Sequence, residues 1–182
     1  MKKLGFIIAL ALIFVTKSTT FAQKFAFVNS EYILDNVPEY KTAQDQLDQL
    51  SAQWQKEIEI KYAEIDKMYK SYQAEQILLT EDMKKRREEE IVNKEKEVKD
   101  FQKQKFGMDG DLFKKKQELV KPIQDKVYNA VKKLATEQSY AMIFDKSSDL
   151  IMLFANPKYD KSDEVLQAMG YKPGSTDTKK TK

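Results

Sequence analysis

The chain has 182 residues, 41% of them hydrophobic and 34% charged, with 32 Lys and Arg against 29 Asp and Glu. It contains no Cys and no His, which excludes disulfides, thiol nucleophiles and a lipidated cysteine, and removes the commonest general base and metal ligand. Five Gly and four Pro are few, and none lies between Glu39 and Phe106, so the composition argues against a compact α/β enzyme and for a soluble, helix-rich protein.

Lys2 and Lys3 precede the apolar run Leu4 to Val15, a polar stretch follows, and Thr20-Phe21-Ala22 offers a small-x-small cleavage site. Residues 1–22 read as a secretory signal peptide, because the apolar run is shorter than the roughly 20 residues a spanning helix needs. Its removal takes Lys2, Lys3 and Lys17 but no acid, so 29 bases then face 29 acids. A formally neutral mature chain argues against nucleic acid as a partner, and any electrostatic function has to be local. Two basic clusters remain: Lys84-Lys85-Arg86-Arg87, and Lys172, Lys179, Lys180 and Lys182 near the C-terminus.

Lys24-Phe25-Ala26-Phe27-Val28-Asn29 reads as a strand, and Ser30 as the N-cap of a brief helix ending near Pro38. From Tyr40 the apolar positions Ala43, Leu47, Leu50, Trp54, Ile58, Tyr62, Ile65, Tyr69 and Tyr72 recur every three or four residues, the seam of a long amphipathic helix. A second seam runs through Ile91, Val98, Phe101, Met108, Leu112 and Leu119, then Ile123, Val127, Ala130 and Leu134 after a register shift. Lys94, Lys105 and Lys115 interrupt it, so it packs less well than the first. Thr80, followed by Glu81 and Asp82, reads as an N-cap with acids in the first turn. A reversal near 76–84 makes residues 39–138 an antiparallel hairpin with arms of about 60 Å. One uninterrupted helix of roughly 100 Å is the alternative, but it would part the strand-like segments on either side, which need each other to pair.

Gly107, Gly110 and Pro122 are expected to bend the returning arm. The distal stretch 73–97 has little to bury, so the tip is expected to fray before the base. Ser139 to Asp145 reads as a strand, Lys146 to Asp149 as a turn and Leu150 to Ala155 as a second strand. A last helix has Ser162 as N-cap, Val165, Leu166 and Met169 facing inward, and Gly170 as its stop. Residues 171–182 read as a disordered basic tail. Residues 23–38 and 139–170 thus form a strand-bearing body. Phe25, Phe27, Ile143, Phe144, Ile151, Leu153 and Phe154 give it more apolar surface than it can cover alone, which predicts an obligate oligomer joined there.

No phosphate-binding G-x-x-x-x-G-K-[ST] occurs. Asp109-Gly110-Asp111 lacks the further ligands and closing Glu of a calcium loop, and Glu88, Glu89 and Glu90 point about 100° apart along a helix. Neither a catalytic residue nor a metal or cofactor is expected.

The sequence resembles the Skp/OmpH family of periplasmic chaperones. The matching residues are Lys24-Phe25-Ala26-Phe27-Val28-Asn29-Ser30, then Leu119 to Val127 through Pro122. The match continues with Ile143-Phe144-Asp145-Lys146-Ser147, Phe154-Ala155-Asn156-Pro157 and Asp163-Glu164-Val165-Leu166. The resemblance implies a mainly α protein with a small β part: a coiled-coil-like hairpin arm on a short-stranded body that completes itself by trimerisation, like a jellyfish. It also implies an ATP-independent periplasmic holdase that keeps unfolded outer-membrane proteins from aggregating. An outer-membrane barrel is not expected, since the repeated alternation of about ten residues is absent. On this reading Tyr62, Ile65, Met68, Tyr69, Tyr72, Ile77 and Met83 offer weak, replaceable contacts to a client; the same residues also fit as core between the arms. Lys84, Lys85, Arg86 and Arg87 at the tip would meet acidic clients or anionic lipid headgroups, or form a solvated face paired with the glutamates that follow. A non-catalytic coiled-coil adaptor of the cell envelope is the alternative function.

Overall fold

The computed structural model describes residues 23–148 and 152–174; the expected signal peptide, Ile151 and residues 175–182 lie outside them. In chain order the elements are β1 (Lys24–Val28), α1 (Ser30–Asp35), α2 (Pro38–Glu75), α3 (Glu81–Phe106), α4 (Asp111–Glu137), β2 (Tyr140–Asp145), a 3-10 turn (Pro157–Tyr159) and α5 (Ser162–Ala168). The architecture is mainly helical, with a long antiparallel hairpin rising from a small strand-bearing base.

α2 opens with Pro38 in its first turn, where a missing N–H breaks no helical bond, and runs 38 residues without a Gly or a further Pro. The chain reverses over 76–80, where the Thr80 hydroxyl accepts from Met83 N at 3.4 Å and Glu81 and Asp82 face the positive end of α3. Ile58 and Ile65 of α2 then bury against Ile91 and Val98 of α3. The outgoing arm is one helix, but the returning arm is two. Gly107 caps α3 and Gly110 caps α4, and both positions have to be glycine. A Cβ on Gly107 would lie 2.4 Å from the Lys103 carbonyl oxygen, and one on Gly110 would lie 2.8 Å from that of Gln104. The expected bend here is therefore a complete interruption. At Pro122, by contrast, α4 runs on unbroken.

A separate and larger core forms the base: Ile33 and Val37 of α1 and its exit, Leu47 of α2, Ile123 and Val127 of α4, and Val165 and Leu166 of α5. α5 ends in a Schellman motif, with Gly170 at φ 87°, its N–H on the Gln167 carbonyl at 2.9 Å and the Tyr171 N–H on that of Leu166 at 2.9 Å. Two expected caps move by one residue. Asn29, not Ser30, caps α1 through Tyr32 N, because the Ser30 N–H and hydroxyl are both taken by Asp145. Lys161 holds the cap position of α5, and Ser162 instead bridges Asn29 N and Asp160 from a site only 3% exposed.

β1 and β2 pair in parallel, Phe25 with Met142 and Val28 with Asp145. Parallel strands need a crossover that returns the chain to its starting end, and the whole arm is that crossover. The second return strand does not form among the described residues: 152–155 carry no strand, and the sheet there is two-stranded. The far edge of β1 is already taken, since Asp160 bridges Phe27 and Lys161 N donates to the Phe27 carbonyl at 2.9 Å. Tyr171 to Gly174, expected to begin the tail, pack in place: the Tyr171 hydroxyl donates to Glu39 at 2.7 Å and the Tyr32 hydroxyl to the Gly174 carbonyl at 3.1 Å.

Candidate functional site

Two surfaces concentrate the residues singled out by the sequence. The first is an open cleft of about 710 Å³ at the base, lined by Phe25, Phe27, Phe144, Met152, Phe154 and Tyr159 among others. β1 and β2 place Phe25 and Phe144 side by side, with ring centroids 6.4 Å apart and planes tilted by 30°. Phe25 and Phe144 stay substantially exposed, and Leu153 and Phe154 almost wholly so, at 95% and 81%. Phe27, by contrast, is buried, and Ile143 is half-buried against the base core, so both are largely satisfied within the chain.

Beside the cleft, Asp145 ties the end of β2 to the start of α1 and to the turn that follows. Its carboxylate accepts from the Ser30 N–H and hydroxyl and from the Ser147 N–H and hydroxyl, at 2.6 to 3.1 Å. Burial pushes this carboxyl up, but the bonds from Ser30 and Ser147 outweigh it and leave it below the usual aspartate range.

The second surface is the arm. Ile65 is 5% exposed in the arm core, so it holds the two helices together and is not open to a client. Met68 and Tyr72 pack on the same cluster. Tyr62, Tyr69, Ile77 and Met83 remain exposed, Ile77 at 89%. Two of the tyrosines also tie the helices with their hydroxyls: Tyr69 donates to Glu95 at 2.9 Å and Tyr72 to Glu88. Each hydroxyl is held above the usual tyrosine range chiefly by that hydrogen bond to a carboxylate. The exposed Leu78 and Val92 and, at the break, Met108 and Phe113 join these apolar groups. Leu78 follows from the logic that found its neighbour Ile77; the others were hidden because they sit off the seam or were assigned to it.

At the tip, Lys84 pairs with Glu81 at 2.7 Å, and Arg87 reaches Glu90 at 3.5 Å and Glu75 of the opposite helix at 3.9 Å. Lys85 and Arg86 form no ion pair among the described residues, so the four bases are not equivalent. Lys105 is the residue that sequence reasoning misjudged. It does not interrupt the seam: its ammonium lies 4.8 Å from the Trp54 ring centroid, 5.4 Å from that of Phe101 and 2.6 Å from the Asp111 carboxylate. Among the described residues no helix is long and apolar enough to cross a membrane.

Comparison with known proteins fits this geometry. A crystal structure of a candidate outer membrane chaperone (OmpH-like) from Caulobacter crescentus CB15 superposes with a TM-score of 0.65 at 14% identity, over 81% of this chain and 84% of that one, a likeness of fold. No curated protein sequence matches. The family model described as outer membrane protein (OmpH-like) matches residues 24–169, from the first residue of β1 to the cap of α5, and by that match the chain belongs to the OmpH-like family.

Proposed function

We propose that the mature chain is a periplasmic, non-enzymatic holdase, exported by a cleaved signal peptide, that assembles as a homotrimer through its base and holds unfolded outer-membrane proteins between its arms without ATP. One observation carries this reading: the arm buries a single thin core and leaves Tyr62, Tyr69, Ile77, Leu78 and Met83 exposed along its distal half. Unfolded barrel strands present alternating apolar side chains, and scattered flexible or aromatic groups can meet them through many weak contacts whose effect multiplies. Lys85 and Arg86 would raise the encounter rate with acidic clients or touch anionic headgroups, within a Debye length of about 8 Å at physiological salt. The exposed Phe25, Phe144, Leu153 and Phe154 supply the self-association surface.

The envelope adaptor is supported by one opposing observation, that Ile65, Met68 and Tyr72 close the arm rather than line it. Dilution of a denatured outer-membrane barrel protein into nucleotide-free buffer separates the two readings. A holdase keeps it in solution at stoichiometric amounts; an adaptor leaves light scattering rising as fast as in its absence, which would overturn the proposal.

A further inference from the structure

We infer that Lys105 is a positioning residue: its ammonium clasps the arm to the base across the break in the returning helix, and so sets how far the arm leans and how widely the space for a guest chain opens. The part about the guest rests on the holdase reading; the clasp itself does not.

α2 carries the backbone through this level unbroken, but on the returning side the backbone does not fix the arm. The helical bonds of α3 end with Gly107 N on the Lys103 carbonyl, those of α4 begin with Lys114 N on the Gly110 carbonyl, and a single Gly110 N to Gly107 O bond lies between. The apolar cores are interrupted at the same height. The base core reaches Leu47 of α2 and Leu112 of α4, the arm core starts at Ile58 and Phe106, and no buried residue of either cluster lies between Leu47 and Ile58.

Trp54 occupies that gap and meets Phe106 edge-on, with centroids 6.1 Å apart at 84°. Lys105 belongs to the last turn of α3, its two aromatic partners belong to α2 and α3, and its carboxylate partner Asp111 opens α4. One cation therefore ties together all three helices that meet at the break. Its side chain is 17% exposed and that of Asp111 33%, whereas the other ion pairs of the arm have at least one partner near half exposed or more. A desolvated cation on aromatic faces, also paired with a carboxylate, is held in place more firmly than a surface pair.

The chain has no native cysteine, so spin labels can be placed at Lys96→Cys on the arm and Gln124→Cys on the base alone. The double-labelled chain, mixed with excess unlabelled chain so that each assembly holds one pair, reports the arm-to-base distance. Lys105→Met keeps the length and the apolar stem but removes the charge, and should broaden the distance distribution roughly twofold, as expected when a local restraint is released. Lys105→Arg keeps a cation that reaches both the rings and the carboxylate, and should preserve the narrow distribution. An unchanged width in Lys105→Met, or equal broadening in both variants, would overturn the inference. If Lys105→Met does not fold, Trp54→Leu removes the ring under the ammonium and carries the same test. The measurement uses no client, so a chain with an intact clasp that fails to protect a denatured barrel protein would count against the holdase reading alone.

Discussion

Asp145 accepts four hydrogen bonds from Ser30 and Ser147, and its lowered pKa gives the base a defined acid limit. A carboxyl whose folded pKa lies below its unfolded value binds a proton more tightly when the chain unfolds. Its contribution is therefore complete above the unfolded value near pH 4 and is lost as pH falls through the folded one. Asp145→Asn should cost about 1–2 kcal/mol at neutral pH by urea denaturation, and the melting temperature of the variant should fall less steeply than that of the native chain below about pH 4. Gly107→Ala should cost about 1–3 kcal/mol, because the new Cβ would meet the Lys103 carbonyl oxygen at 2.4 Å. The same denaturation measurement checks it. Lys105 teaches the opposite lesson about reading single residues: in sequence it is a charge on a seam, with Phe101 one turn before it and Asp111 just beyond the break, and only the fold brings Trp54 of α2 under its ammonium.

The arm is an element with its own small core, so it can open without the base. Ile91 is 2% exposed between Ile58, Ile65 and Val98. Ile91→Ala should remove about 2–4 kcal/mol from local opening, seen as lost amide-exchange protection in 58–72 and 88–101 while protection of Ile123 to Leu134 stays unchanged. At the tip, Lys85→Glu with Arg86→Glu should slow capture of an acidic client by about threefold at low salt and flatten its salt dependence; stopped-flow binding reads both. The α2 seam, the Thr80 cap and the Gly170 stop were legible because each rests on neighbours within a few residues. What sequence reading missed depended on distant partners. Asn29 and Ser30 are both good caps until Asp145 takes Ser30. Of the expected client contacts, the periodicity that picked out Tyr62 and Tyr69 also picked out Ile65, since a seam pattern cannot say which side chains a partner helix will cover.

For the whole molecule, the base decides the outcome. Phe154 lines one cleft with the Phe25–Phe144 pair, and both it and Leu153 stand nearly free, exposed apolar groups of the kind that mark an interaction surface. If the proposed homotrimer forms through this surface, Leu153→Ser with Phe154→Ser should lower it to single chains in light scattering at micromolar concentration while the helical circular dichroism of the arm is retained. A mass unchanged by both substitutions would mean that association runs through another face. The parallel pairing of β1 with β2 has a further effect. Because both ends of the arm are fastened to one sheet, the hairpin is a cassette whose length the base does not sense. Excising about two turns, roughly seven residues, from α2 and the matching stretch from α3 keeps each seam in phase. The arm is thereby a ruler that can be shortened or extended with the strand-bearing base left untouched.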